Sequence, residues 1–501
     1  MTVRAHRPQA MGTPALPDGC RRVSGFCLLA ALVFAPWCWG CAWPAGIDEL
    51  DLLLLAATAC WLPGAMRERP PRMLLLAVMA ILLQGWLLTL NSRALFAETA
   101  GYFAPLEQPA SWLPGSVERD LSGEMMARVT ALLGAALAAC SLGRHRVWRE
   151  RFALALVATA VSIVLLGCAQ RWTGATDIFW GPRRLDYFFG TYRNVTSAGE
   201  YLNLALPVAG AAAWIALERS PARRAATVCA LAILIAGVLI GGSKAAPLVA
   251  AACGGAFLFA QRRELARRLI AKHVVILLVL MLAVALMAWG AGWGVSQDRW
   301  ARLFASNGEV TLGNRLEVDR ACLSGIGAAG WTGAGPGTFP VLFPGLQAAS
   351  AHAPEGRWLA AHNDYLQTFL EWGVLGVLSW SVYFFGSLGR LITGLHRRGW
   401  RRDDRAWALG FALALIGAAV MAAVDFPLQV ASLQLDVAVL AGLGWSSSRW
   451  PRARVFREPR IVLRGERRLL PSSFTRWVDR RCCEYDLSGS VDPKTGTNSK
   501  P

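Results

Sequence analysis

Apolar runs long enough to cross a bilayer recur along the whole chain, separated by short connections dense in arginine. A helix rises about 1.5 Å per residue, so about 20 apolar residues span the hydrocarbon layer. On that measure the pattern predicts spans near 23–43, 47–66, 73–90, 123–142, 152–170, 198–217, 225–242, 245–261, 274–292, 364–389, 406–424 and 430–447. The expected class is all-α: a polytopic transmembrane helical bundle of about 12 spans, with a long loop subdomain on one face.

The connections decide the orientation. Arg67/Arg69/Arg72, Arg144/Arg146/Arg149/Arg151, Arg219/Arg223/Arg224, Arg262/Arg263/Arg267/Arg268/Lys272 and Arg390/Arg397/Arg398/Arg401/Arg402/Arg405 fall on alternate connections, the side that also carries both termini. Of the 51 lysines and arginines, 38 lie there: 4 ahead of the first span, 21 in those five connections and 13 in the tail. Positive charge is retained on the cytoplasmic side, so both termini are expected there. The organisation is then a cytoplasmic N-terminal tail at 1–22, a bundle at 23–447 and a basic, disordered cytoplasmic tail at 448–501 beside the anionic leaflet. The other face has three substantial segments, 91–122, 171–197 and 293–363. The last is too long for a plain connection and too rich in aromatics for disorder, with Trp300, Phe304, Trp331, Phe339, Phe343 and Trp358.

Composition adds little to this picture but removes other classes. Hydrophobic residues make up 55% of the chain, Trp occurs 22 times and the mean hydropathy is +0.39. A net charge of +18 would point to nucleic acid in a soluble protein. Here the charge is parcelled out between spans, so membrane lipid is the expected partner and nucleic acid is not. The twelve cysteines sit mostly inside apolar runs and read as small core residues, with no disulfide framework and no metal site. The first run follows Arg21-Arg22 without a clean cleavage site and is expected to stay as an anchor.

Candidate chemistry concentrates on the face opposite the basic loops. His362-Asn-Asp364 opens directly into an apolar helix, which puts a proton acceptor usable near neutrality at the membrane surface. The alternative reading is a plain helix start, with Asn363 or Asp364 as N-cap and His362 incidental. Asp364, Gln367 and Glu371 then form one stripe that must face protein. Glu371 stands about 13 Å along the helix from His362, too far to share a proton, and is assigned to packing and hydrogen bonding. Lys244 lies in the hairpin Gly241-Gly-Ser-Lys-Ala245, either an anion contact or a snorkelling lysine. Arg315 and Arg320 flank Glu317 and Asp319, either as internal helix pairs or as substrate contacts. Asp425, ahead of Pro427, ends a span on the face of His362, either orienting the imidazole or an arginine or simply closing the helix.

His362-Asn-Asp-Tyr-Leu366 followed by Glu371-Trp-Gly373 and Gly376 resembles the HNxYL and ExGxxG signature of the O-antigen ligase and polymerase superfamily. Gly190-Thr-Tyr-Arg-Asn-Val195, Ser243-Lys244, Asn314-Arg-Leu316 and Gly333-Ala-Gly-Pro-Gly-Thr-Phe339 are similar to further family elements in the same order, so the resemblance covers about 190–430. It implies a multi-pass glycosyltransferase of the bacterial inner membrane, needing neither nucleotide sugar nor other cofactor. Such an enzyme takes a lipid-linked oligosaccharide or polysaccharide donor on undecaprenyl diphosphate and transfers it, at the periplasmic face, to a glycan or lipid-core acceptor. In that picture His362 deprotonates the acceptor hydroxyl, and Lys244 and Arg315 bind the diphosphate, with Arg193 as a backup cation. Asn363, Asp425 and Glu371 support them. Lys244 departs from the family's arginine, keeping the charge but losing the bidentate fork. Ligase, polymerase and protein O-glycosyltransferase stay open as readings, and the rival class is a transporter or flippase of lipid-linked sugars. That class expects ionisable groups at the bilayer midplane and inverted repeats, and no repeats are evident.

Overall fold

A computed structural model describes residues 18–65, 69–97, 102–185, 187–268, 312–350, 356–397 and 399–451. The ninth expected span at 274–292, the front of the long loop and the tail beyond 451 lie outside the described residues. The helices are α1 (Asp18–Trp37), α2 (Pro44–Ala65), α3 (Arg72–Leu90), α4 (Arg119–Leu142), α5 (Arg146–Thr173), α6 (Val195–Ala216), α7 (Pro221–Ile240) and α8 (Ala246–Arg268). After the undescribed stretch come α9 (Leu312–Ala329), α10 (Phe339–Ala349), α11 (Asp364–Leu395), α12 (Arg402–Ala422) and α13 (Ala431–Ser446).

Eleven of the expected spans coincide with helices, but among the described residues only seven are long and apolar enough to cross a membrane, fewer than the twelve expected. The shortfall has local causes. Asp48, Glu49 and Asp51 open α2, and α13 has 16 residues. Glu200 and Asn203 interrupt α6, which needs no lipid-compatible face, because every residue but Thr196 and Gly210 is buried against α12, α7, α8 and α5. A second departure from the all-α expectation is a two-stranded antiparallel hairpin, β1 (Ala94–Ala97) with β2 (Tyr102–Pro105). The facing rings of Phe96 and Phe103, 5.1 Å apart, hold its register, and Glu118 accepts from the Phe96 amide.

The basic connections do converge on one end of the bundle. Arg146 and Arg219 both reach Asp403, at 2.6 and 2.8 Å, and the buried Arg149 pairs with Asp404 at 2.6 Å. Arg402 lies 2.9 Å from Glu264, while Arg144 and Arg449 both donate to the Arg69 carbonyl. These contacts join residues far apart in sequence and require the loops to share one side.

At the opposite end α9, α10 and the start of α11 enclose a small core of their own, with Val318, Cys322, Phe339, Phe343, Trp358 and Leu370 buried together. Full burial of a Phe contributes roughly 1.5–3 kcal/mol, and both Phe339 and Phe343 are fully buried in this core. This core is bolted to the bundle where α11 breaks. Gly373 takes φ 60°, ψ −167°, which interrupts the helix ladder. The freed carbonyls of Leu370 and Glu371 accept from Ala334 and Gly335, both at 2.9 Å, and the Leu375 amide donates to Trp331. Gln84 of α3 closes the remaining gap by donating to the Trp372 carbonyl at 2.6 Å.

Gly373→Ala should therefore destabilise the protein. A Cβ there would stand 2.4 Å from the Gly333 nitrogen and 2.6 Å from that of Thr332. The positive φ alone costs on the order of 1–3 kcal/mol. Thermal unfolding in detergent should show a clearly lower midpoint, and an unchanged one would contradict the role assigned to this break.

Candidate active site

The chain enters α11 through Leu359-Ala-Ala-His362, and Asn363 caps the helix, its side chain accepting from the Leu366 amide. The capping expected from the sequence is thus present, but His362 is not incidental to it. Its backbone lies at φ 54°, a left-handed conformation unusual for a residue with a side chain, and such strain persists only where surroundings enforce it. The imidazole Nδ1 lies 2.9 Å from Asp425 Oδ1. Trp358 and Phe426 wall the ring edge-on, with centroids at 5.4 and 4.6 Å. The side chain stays 19% exposed. With the carboxylate accepting the Nδ1 proton, Nε2 is left with its lone pair.

Asp425 serves more than the imidazole. Its Oδ1 also accepts from the Phe426 amide, and its Oδ2 lies 3.7 Å from Arg315 Nη2. Arg315 Nη1 donates to the Val424 carbonyl at 2.8 Å. Of the two arginines on α9, Arg320 takes the internal helix pair with Glu317, while Arg315 crosses to the α12–α13 connection. The imidazole and the guanidinium are thus fastened to one carboxylate.

The stripe on α11 is the frame beneath. Asp364 accepts from the Leu428 amide and the Gln429 side chain, both at 2.9 Å, which fixes the connection that carries Asp425. Gln367 accepts from the Ala361 amide and donates to Glu371. Glu371 accepts from the Gly337 and Phe339 amides at 3.0 and 3.2 Å, so it caps α10 and holds the glycine turn. Each member of the stripe anchors a different loop.

Other expected site residues are placed differently. Lys244 lies half-buried on the turn between α7 and α8, at the same end of the bundle. Its neighbour Ser243 packs on Gly199 of α6, and the adjacent Glu200 interacts electrostatically with Asp425, Asp364 and Arg315. Arg193 is not drawn to the imidazole in this way; its guanidinium stacks over Trp43 at 4.9 Å.

Two carboxylates belong to the neighbourhood that sequence reasoning did not single out. Glu200 is buried on α6, with Oε1 lacking a hydrogen bond among the described residues. Asp319 bonds with Asn363 and lies within the electrostatic reach of His362 and Arg315; burial pushes its pKa up, against the pull of those three groups. The available signal was its spacing, four residues after Arg315 and so on the same face of α9. An apolar cavity of about 260 Å³ begins at Asp364 and Tyr365 and runs down between α11, α4, α12 and α13. It is lined by Val129, Leu133, Phe369, Trp380 and Ala422 among others.

No curated protein matches the chain. Residues 229–381 match the family model described as O-antigen ligase, a narrower stretch than the resemblance at about 190–430. It takes in Lys244, Arg315, His362, Asn363 and Glu371, with Arg193 and Asp425 outside. Through this segment, less than half of the chain, the protein is similar to the O-antigen ligase family.

Proposed function

We propose that this protein transfers a glycan from an undecaprenyl diphosphate carrier to an acceptor hydroxyl at the periplasmic face of the bacterial inner membrane. The observation that carries the reading is the shared carboxylate: Asp425 holds the base His362 and the cation Arg315 side by side. His362 Nε2 takes the proton of the acceptor hydroxyl as its oxygen bonds to the anomeric carbon. The bond from that carbon to the diphosphate oxygen breaks on the opposite side, which inverts the centre. Arg315 and Lys244 meet the charge developing on the leaving diphosphate, and Asp425 stabilises the imidazolium until it releases its proton. Fixed cations suffice for that role. The apolar cavity opening at Asp364 and Tyr365 suits the polyprenyl chain of such a donor.

His362→Ala should lower transfer by roughly 10²–10⁴, the usual worth of a general base, and the defect should persist at saturating donor. The assay is glycan transfer by purified protein in vesicles, supported by envelope glycan profiling in a strain without a second transferase. Normal transfer by a well-folded His362→Ala protein would remove the mechanism.

Arg315→Ala is expected to cost about 10²–10³ in transfer, comparable to losing one donor to a developing oxyanion. Lys244→Ala should act mainly through donor binding, and Lys244→Arg should be tolerated. Asp425→Asn should impair transfer less than His362→Ala while leaving the melting temperature near that of the parent. Full activity in both Arg315→Ala and Lys244→Ala would detach the cations from the donor.

The orientation has its own test. Impermeant maleimide applied outside spheroplasts should label Trp112→Cys, which is 82% exposed at the His362 end, and should spare a cysteine at exposed Val147. The reverse pattern would turn the protein over in the membrane.

A further inference from the structure

The cysteines were expected to be core fillers, and Cys38-Trp-Gly-Cys41 does not fit that description. The sequence has CxxC spacing in the turn between α1 and α2, outside both helices. The Cys41 amide donates to the Cys38 carbonyl at 2.7 Å, so the four residues form one tight turn. A turn of this kind keeps its end Cα atoms within about 7 Å, inside the range a disulfide bridges. The side chains converge as well. Both thiols are free in this structure; that of Cys41 donates to the Gly46 carbonyl at 3.3 Å, and a single point beside Gly46 lies 2.8 Å from the Cys38 sulfur and 3.9 Å from that of Cys41. Trp39, Gly40 and Cys41 all take positive φ, at 51°, 68° and 52°, an unfavourable backbone for two residues with side chains. Something must hold that turn.

We propose that Cys38 and Cys41 close an intraturn disulfide on the periplasmic face, latching the turn against the segment that carries Arg193. The location rests on the orientation proposed above, because only an oxidising compartment maintains such a bond. Gly40 packs on the Tyr192 ring, whose hydroxyl bonds with Ser432 at the start of α13. Thr191 donates to the Pro36 carbonyl at 2.6 Å, and Arg193 stacks on Trp43 at the far side of the same turn. The bridge therefore backs both the 190–194 segment and the helix that follows Asp425.

The redox step is thiol–disulfide exchange with a protein disulfide or oxidised glutathione. Cys38, the more exposed of the two, attacks the oxidant's disulfide as thiolate and expels one thiolate; Cys41 then attacks the Cys38 sulfur and expels the second. Two electrons pass to the oxidant, whose two thiolates take up the two protons. Burial pushes the Cys41 thiol up to about 12 and raises Cys38 as well, so the reduced pair gains nothing from ionisation. Exchanging CxxC catalysts stabilise a thiolate, and this pair does the opposite, as expected of a structural bridge. A metal alternative lacks ligands, since among the described residues no group of three or more His, Cys, Asp or Glu is placed to hold one.

The test uses the full-length protein, purified in detergent, equilibrated with oxidised glutathione, alkylated and digested for mass spectrometry. The expected result is one peptide in which Cys38 and Cys41 are joined and escape alkylation until reduced. Alkylation of both, or pairing of either with another cysteine, would overturn the bridge. Dithiothreitol should lower the melting temperature of the oxidised protein by roughly 2–4 °C and leave Cys38→Ser/Cys41→Ser unmoved; an equal shift in both would overturn the latch. In cells, the pair should be protected when Trp112→Cys is labelled from outside. A free pair beside a labelled Trp112→Cys would sink the proposal, whereas a free pair with Trp112→Cys unlabelled would sink the orientation and the cellular bridge with it.

Discussion

A helix broken inside an apolar bundle must find partners for the backbone groups it frees, because no water is there to take them. In α11 that demand is met at Gly373 by the turn that begins at Gly333, amide against carbonyl and carbonyl against amide. A Cβ on either glycine would fall within 2.5 Å of the other strand's backbone, so the contact exists only because both side chains are absent. The small core of α9 and α10 is attached to the bundle through this junction, and with it Arg315 and Asp319. The position of the cation relative to the imidazole therefore depends on a backbone contact well below the site.

The two ends of the bundle use ionic groups differently. At the basic end, Arg149 and Asp404 are both nearly inaccessible and serve each other, a pairing that keeps α5 and α12 in register. Removing one partner there would leave a buried charge uncompensated. At the other end Asp425 divides its oxygens between a histidine and an arginine, and both partners keep part of their surface open. A pair that is complete stabilises a fold; a pair with an open side has capacity for a ligand. The aromatic walls at Trp358 and Phe426 limit water around the imidazole without closing off Nε2.

Between these ends, α6 is buried along nearly its whole length. Its first turns bring Glu200 close to Asp425 and Arg315, and place Gly199 against the turn that holds Lys244. The helix, whose N-cap Asn194 closes the segment bearing Arg193, is thus the physical link from the α7–α8 turn to Asp425 and Arg315. Three sequence-distant stretches meet on its N-terminal end.

Periodicity, charge and composition were sufficient to locate eleven helices, the alternation of the basic connections and the helix start at His362, because each of these depends on local residue order or on a sum over short windows. The stripe of Asp364, Gln367 and Glu371 was legible for the same reason, as a consequence of 3.6 residues per turn. Which loop each member would anchor was not, since its partners at Ala361, Gly337 and Leu428 are reached through tertiary packing. Seven of the described helices qualify as crossings by length and composition, and windowed hydropathy could not tell a helix facing lipid from one, like α6, enclosed by others. The meeting of His362, Arg315 and Asp425 and the seating of Arg193 on Trp43 were decided only by the fold. Each is a contact between side chains whose direction is set by neighbouring elements, which no local residue pattern fixes.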